Sequence, residues 1–537
     1  MAMGIKNKSA LRKKAVFFVI SAILESIPAP ISSISQGIPA PLNLDLLKRE
    51  ACRKFGLKES FKNSEILAHF PKEKLNDEIR LLLKRKPMRT ASGVAPIAVM
   101  VKPQGSCKWA CIYCPYTGKA PKSYTGYEPA AMRAQDNDFV SIRQVRSRLA
   151  QYKANGHDSS KCDIIVMGGT FLSMPKKYKN DFIKGIYDGL NGCASSSLEK
   201  AKSLNEGAPH RAVGLTIETR PDVCGQKEIR EMLSYGATKV ELGVQFPSDK
   251  IYRLINRGHT VRDVSVATRR LKDSALKVAY HIMLGLPGSS PEKDVEMFKK
   301  LFSDPRFKPD MLKIYPTLVI PNTKLHKLML AGKYAPYTTE QATEVLSKAY
   351  MHIPPYVRVM RIQRDIPVNL AAAGVDKSNL RELVERRLES AGKTINDIRY
   401  REAGLSHRKV GETRMVRINY GASGGKECFI SLEDKTSGAL AGFVRLRIPS
   451  ATQIQPEIDK GTALVRELHI FGEETPLGET GQVQHRGFGS RLLQEAEKIA
   501  AEEYECGKMA IISAVGVKQY YYKKGYSPDG PYVSKLL

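Results

Sequence analysis

A chain of 537 residues is too long to fold around one ordinary core, and 42% hydrophobic with 26% charged residues place it among globular proteins. Eighty-five Lys and Arg against fifty-five Asp and Glu give a formal charge of +30. Such an excess points to a polyanionic partner, above all nucleic acid, although a solvated basic surface is the simpler alternative. Nine cysteines, six of them scattered singly, exclude a disulfide scaffold and fit reduced thiols in a cytoplasm.

Residues 1–93 read as a basic, mainly helical region. The segment LRKKAVFFVISAIL (11–24) has the basic start and apolar run of a secretion signal. Val16, Val19, Ile20 and Ile23 nevertheless share one helical face, and the run is too short to span a bilayer. A helix is expected there, with no membrane. Positive charge concentrates in KNKSALRKK (6–14) and LLKRKPMR (82–89), which favours an anion-binding role.

From residue 94 strands and helices alternate. Apolar runs at 94–101, 162–169, 212–219, 238–245, 277–284 and 311–320 read as buried strands, with helices at 176–190, 226–236, 261–274 and 291–302. This predicts an α/β domain over 94–365 with a parallel sheet, either open or closed into a partial or full barrel. Ligands then belong in the loops after the C-terminal ends of the strands. A linker over 366–410 follows, in which 376–393 reads as an exposed basic helix.

The loop after the first strand carries Cys107, Cys111 and Cys114 in the spacing C-x3-C-x2-C, with the only tryptophan, Trp109, between the first two. A structural zinc site needs a fourth ligand nearby, and the next candidates, His157 and Cys162, are distant in sequence. Iron–sulfur clusters also normally take four thiolates, so a cube held by three leaves one iron open. The motif in this position resembles the radical S-adenosylmethionine superfamily. That resemblance implies a [4Fe-4S] cluster on Cys107, Cys111 and Cys114 whose open iron binds S-adenosylmethionine, with Tyr113 as the usual aromatic. It also implies that Gly168 and Gly169, after the second strand, receive the methionine amino group.

The last third reads differently. Runs at 414–420, 427–434, 439–448 and 463–472 look like strands, with SGGKE and EDKTSG as turns between them. Gln484, Gly487 and Gly489 precede an amphipathic helix with Leu492, Leu493, Ala496, Ile499 and Ala500 on one side. Glycines at a helix start let backbone N–H groups approach a pyrophosphate, though a plain helix start looks the same. A strand, a short helix and a tyrosine-rich turn complete 509–526. This order resembles the GNAT acetyltransferases and implies an α+β domain over 411–537 that binds acetyl-coenzyme A, with Arg486 near phosphate and Tyr521 near the coenzyme sulfur.

The two domains in one chain resemble the family of the Elongator catalytic subunit and its stand-alone archaeal and bacterial members. The marks are SGVAPIAVM (92–100), SYTGYEPAAMRA (123–134), TIETRPD (216–222), ELGVQ (241–245), NRGHTV (256–261), RIQRDIP (361–367) and VRELHIFG (465–472). The chain departs from many members in its short gap between the first two cysteines and in YTGKAPK (116–122). The resemblance implies an acyltransferase-class enzyme that acts on the anticodon loop of tRNA. It would build 5-carboxymethyluridine at the wobble position from acetyl-coenzyme A through a 5′-deoxyadenosyl radical. Lys161 and Tyr521 are the implied catalytic residues, Lys161 also touching the coenzyme. Glu467, Leu468, His469 and Ile470 would line the coenzyme, with Arg486, Gly487, Phe488, Gly489 and Ser490 at its pyrophosphate. Homodimerisation and accessory subunits stay open.

Other residues read more plainly. His281 in its strand reads as a satisfied core group, while Glu218 and Arg220 end a strand facing the expected site. Glu241 and Gln245 share a strand face and either reach that site or pair within the barrel. Two rival functions are a protein lysine acetyltransferase with a structural cluster, and a tRNA-binding scaffold with decayed sites. The charge argues against the first, and the complete cysteine set and coenzyme turn argue against the second.

Overall fold

The computed structural model describes residues 2–26, 42–84, 90, 92–103, 107, 109–404, 410–472 and 487–537. The chain forms two compact units, Met1–Thr90 with Arg148–Ser159, and Ala91–Ser147 with Ser160–Leu537.

The first unit contains the helices Ala2–Glu25, Leu44–Lys54, Asn63–His69 and Asp77–Leu83. Val16, Val19, Ile20 and Ile23 are buried and pack with Phe61, Ile66, Phe70 and Ile79, so the apolar run of 11–24 is the core face of a helix. Asn43 and Asn76 cap the second and fourth helices by accepting from the backbone N–H groups of Leu46 and Ile79. In the first basic run Arg12 is bound to Glu65 at 2.7 Å, whereas Lys8, Lys13 and Lys14 are exposed. Residues 85–89 of the second basic run lie outside the described residues. Among the described residues no helix is long and apolar enough to cross a membrane.

The second unit contains two seven-stranded sheets. The first is wholly parallel and runs in chain order: β1 (Ala95–Met100), β2 (Lys161–Met167), β3 (Arg211–Thr219), β4 (Lys239–Gln245), β5 (Lys277–Leu284), β6 (Met311–Pro316) and β7 (Arg358–Ile362). The helices Lys176–Asn191, Gln226–Ser234, Val261–Asp273 and Pro291–Ser303 lie between strands as expected. The sheet is therefore a partial barrel. Three details differ from the sequence expectation. β7 is an added strand, hidden because Arg358 and Arg361 interrupt its apolar run. β6 ends at Pro316, a residue suited to a strand terminus because it has no N–H, and does not continue to 320. Leu380–Ser390 is no exposed linker helix: Leu380, Val384 and Leu388 are buried, and Arg381 donates to the Val359 carbonyl at 2.6 Å.

The second sheet comprises β8 (Thr413–Ala422), β9 (Gly425–Asp434), β10 (Leu440–Ile448), β11 (Thr462–Ile470), β12 (Lys508–Ile511), β13 (Ser527–Asp529) and β14 (Tyr532–Leu536). Its order is β13-β14-β12-β11-β10-β9-β8, antiparallel except for β11 with β12. Ser423 and Gly424 close the β8–β9 hairpin with φ of 52° and 78°, as a two-residue turn of this hand requires. β11 pairs with β12 only from Thr462 to Val465, while its pairing with β10 runs on to Ile470.

A fully buried ion network joins this sheet to the N-terminal ends of β5 and β6. Arg466 reaches Asp310 at 2.6 Å and Glu427 at 2.9 Å. Lys272 lies 3.2 Å from Asp310 and 3.4 Å from Glu427, and Arg447 bridges Asp273 at 2.6 Å to Glu427 at 2.9 Å. Burial alone would raise the Asp310 carboxyl, but Arg466 and Lys272 hold it well below the ordinary range. Burial, reinforced by Arg466, lowers Lys272 to about 8.

Asp310→Ala leaves Arg466 and Lys272 to share Glu427 in the interior and should destabilise the protein by roughly 3–5 kcal/mol, read from urea unfolding. Because the folded Asp310 carboxyl lies below its unfolded value of about 4, its contribution is complete above that pH and is lost as pH falls through the folded value. The gap between wild type and variant should stay constant down to that pH and narrow below it.

Candidate active site

The cysteine loop leaves β1 at the C-terminal end of the sheet. Cys107, Cys111 and Cys114 open on one cavity together with Gly168, Gly169, Glu218, Arg220, Glu241, Gln245 and His281. Residues far apart in the chain hold the loop in place. The Lys122 ammonium donates to the carbonyls of Cys107 at 3.1 Å and Trp109 at 2.6 Å. Asn256, with φ of 53°, donates to the Ala110 carbonyl at 3.0 Å. The Trp109 ring lies 4.9 Å from the Arg220 guanidinium and covers Gly258, where a Cβ would meet the indole at 2.4 Å. The Glu128 carboxylate gathers the N–H groups of Thr125 and Gly126 at 2.7 and 3.0 Å, which explains the TGYE stretch.

The donor set fits an anionic thiolate cluster. Arg257 places a guanidinium N–H 3.6 Å from the Cys111 sulfur. Burial, followed by the neighbouring Cys111, pushes the Cys114 thiol up to about 12, so bound iron would be what brings this thiol to thiolate. After β2, Gly168 and Gly169 have φ of 139° and 62°. A Cβ at Gly168 would lie 2.2 Å from Val101, and one at Gly169 would lie 3.3 Å from the Lys122 carbonyl. Protein packing thus excludes a side chain at either position, and both glycines line the same cavity as the thiols.

The inner wall is charged. Tyr124 donates to Glu218 at 2.8 Å, and His281 Nε2 lies 2.9 Å from Glu241. Lys313 contacts Glu241 and stands 4.0 Å from Glu218. Burial would raise the Glu241 carboxyl, yet Lys313, His281 and Lys239 hold it well below the ordinary range. Glu218, Glu241 and His281 lie close enough to share a metal ion, but the Lys313 ammonium already supplies the cation among them. His281 is therefore part of the cavity wall and not merely a core group.

The expected coenzyme residues gather elsewhere in the unit. Beyond Val465, no strand among the described residues pairs with β11 on the side away from β10, and Glu467, Leu468, His469 and Ile470 occupy this stretch. The Glu467 carboxylate itself is bound by Arg445 at 2.8 Å. Gly487, with φ of 74°, caps the helix Phe488–Glu502. A Cβ at Gly489 would meet the Tyr520 hydroxyl at 2.9 Å and Ile470 at 3.8 Å, so the helix start, β11 and the tyrosine turn converge. Ser490 accepts from Lys524 at 2.8 Å, Phe488 is buried, and Tyr521 is buried against Tyr520 and Tyr526. Arg486 and Gln484 lie outside the described residues. Lys161 opens β2, seven residues before the glycine pair, and its register partner Arg211 packs on Gly516 of the second sheet's side. It belongs to that end of the barrel and not to the cysteine cavity.

Sequence reasoning missed Lys122, Arg257, Lys313 and Tyr124. The stretches APKSYTG (120–126), NRGHTV (256–261) and LKIYP (312–316) contain them, but nothing local marks their side chains as facing one point.

A parallel partial barrel with three thiols after its first strand and a glycine pair after its second defines a radical S-adenosylmethionine protein. Family models agree: the Radical SAM superfamily matches residues 101–301, its C-terminal domain 309–390, and the ELP3 N-terminal domain 19–91. The chain is 46% identical over 489 residues to the tRNA uridine(34) acetyltransferase of Methanocaldococcus jannaschii, covering 88% of this chain and 90% of that one. It is 40% identical over 512 residues to Elongator complex protein 3 of Homo sapiens, covering 92% and 93%. The solved structure of Methanocaldococcus infernus Elp3 lacking its N-terminus superposes with a TM-score of 0.75 at 43% identity, over 83% of this chain and all of the other. The protein belongs to the Elongator complex protein 3 family.

Lys122→Met removes both carbonyl contacts of the cysteine loop, each of a strength of about 1.5–3 kcal/mol for a charged donor. The variant should fold normally but retain less iron than wild type after anaerobic reconstitution and desalting, measured by iron and sulfide assay. Equal retention would show that the loop is held by other contacts.

Proposed function

We propose that this protein builds a carboxymethyl group on carbon 5 of the wobble uridine of tRNA, with acetyl-coenzyme A as the carbon donor, in a reducing cytoplasm. The observation that carries the reading is the cavity in which three thiols, a guanidinium and a bare glycine pair meet. The names of its relatives, tRNA uridine(34) acetyltransferase among them, support tRNA as the substrate. Uracil C5 is an unactivated vinylic carbon, so a radical route is chemically apt where simple acetyl transfer would give the wrong product.

Cys107, Cys111 and Cys114 hold a [4Fe-4S] cluster in this reading, and Gly168 and Gly169 take the amino group of S-adenosylmethionine. Together these groups supply a 5′-deoxyadenosyl radical able to take hydrogen from the acetyl methyl group. Arg257 offsets thiolate charge, while Arg220 and Trp109 close the loop side of the cavity. Backbone groups of Glu467, Leu468, His469 and Ile470 bind the coenzyme arm along the free side of β11. Gly487, Phe488, Gly489, Ser490 and Arg486 take its pyrophosphate, the helix N-terminus favouring the anion. Tyr521 and Lys161 act on the coenzyme, whose thioester is finally hydrolysed.

The test is mass spectrometry of wobble uridine from tRNA incubated anaerobically with reconstituted protein, S-adenosylmethionine and acetyl-coenzyme A. Alanine at any of the three cysteines should abolish both 5′-deoxyadenosine and carboxymethyluridine. Gly489→Val should keep 5′-deoxyadenosine formation but block acetyl-coenzyme A binding, since its side chain would strike Tyr520. Acetylation of protein lysines without tRNA or S-adenosylmethionine would instead favour a protein acetyltransferase.

Residues 1–93 bind the RNA backbone in this reading, on the exposed Lys8, Lys13 and Lys14 among others. Phosphate contacts set affinity and its salt dependence without choosing sequence. Deleting 1–93 should weaken tRNA binding, flatten the slope of log affinity against log salt, and leave cluster assembly intact. An unchanged slope in filter binding would move the RNA surface to the other unit.

A further inference from the structure

We infer that His281 is the proton acceptor of the radical cavity and that Glu241 is the residue that positions it; this rests on the reaction proposed above. His281 stands on β5 with its side chain 16% exposed, on the cavity that the three thiols line. Its Nε2 lies 2.9 Å from Glu241 Oε2. Glu241 is fully buried and ionised beside Lys313 and Lys239, so its carboxylate can only accept. The ring proton is therefore on Nε2, and Nδ1 keeps its lone pair. The Tyr315 ring meets the imidazole edge-on at 5.5 Å and 87°, fixing its plane.

The groups around His281 are Glu241 and Lys239 from β4, Lys313 and Tyr315 from β6, and Glu218 from β3 with Tyr124 behind it. Each carboxylate on the cavity has at least one donor or cation beside it. Glu128 holds its own loop, Glu218 takes Tyr124 and Glu241 takes Lys313. Asp365 takes Arg361. The His281 Nδ1, on the far side of the ring from Glu241, makes no hydrogen bond among the described residues and keeps an acceptor lone pair on the cavity.

The proposed reaction needs such a group. Once the acetyl methyl carbon has lost a hydrogen atom and bonded to uracil C5, the unpaired electron sits on C6 and C5 still bears its hydrogen. The C5=C6 bond returns only when the C5 hydrogen leaves as a proton and one electron leaves the ring. Nδ1 of His281 takes the proton, becoming imidazolium stabilised by Glu241. The cluster that Cys107, Cys111 and Cys114 would hold would supply, in its oxidised state, the one-electron acceptor for the ring electron, so no external oxidant would be consumed.

Two measurements on the full-length protein test this. Histidine-selective 15N spectra of the wild type should show His281 as the Nε2–H tautomer, and Glu241→Gln should abolish that preference. His281→Ala, with wild-type iron content and melting temperature, should still release 5′-deoxyadenosine at the wild-type rate. Its carboxymethyluridine should fall about 100-fold, the usual contribution of a general base. A Nδ1–H tautomer in the wild type overturns the assignment even if the variants fail to fold. Unchanged product in His281→Ala, or equal loss of product and deoxyadenosine, also overturns it. A wild type that releases deoxyadenosine but forms no carboxymethyluridine overturns the reaction itself, and this role with it.

Discussion

The arrangement depends on a buried electrostatic constraint: Asp310 and Glu427 must each find their cations where the second sheet meets the barrel. Asp310 sits just before β6, Lys272 and Asp273 end the helix before β5, and Arg447, Arg466 and Glu427 come from the second sheet. Charges this deep are tolerated only when paired and fully hydrogen-bonded, so the network accepts one placement of sheet against barrel. Apolar packing alone would allow the sheet to slide. Because the contact uses the N-terminal ends of the strands, the C-terminal ends stay open.

The open end then solves a second charge problem. Thiols that are to become thiolates need nearby positive charge, and the loop obtains it from Arg257 and Lys122, which come from different parts of the chain. Deeper in the cavity, Lys313 and Lys239 balance Glu241 while Glu218 is met by Tyr124. The barrel wall is thus polar at its centre, where the interior of a closed barrel is usually filled with aliphatic layers. A polar lumen of this kind suits a cavity that must orient small, charged ligands.

The two groups of site residues lie at opposite ends of the same strands. Lys161 opens β2 and Gly168 directly follows its last residue, which at strand rise places them about 20 Å apart. The free side of β11 and the helix starting at Phe488 lie on the Lys161 side, with Gly516 against Arg211.

Much of this was legible in the sequence because its signals are local. Three cysteines within eight residues, a glycine pair after an apolar run, and Val16, Val19, Ile20 and Ile23 at helical spacing each express short-range geometry. The family resemblance likewise rested on short motifs in fixed order. β7 escaped because two arginines broke its apolar pattern, and the helix Leu380–Ser390 looked exposed because its buried face is only three residues wide. What the tertiary structure alone decided was which polar residues meet. Arg257 with Cys111, and His281 with Glu241 and Lys313, come from loops and strands dozens of residues apart, and Lys122 folds back over its own loop to the Cys107 and Trp109 carbonyls. Strand alternation says which face a side chain takes, but its partner depends on sheet curvature and on the register between neighbouring strands, which arise only when the barrel closes around them.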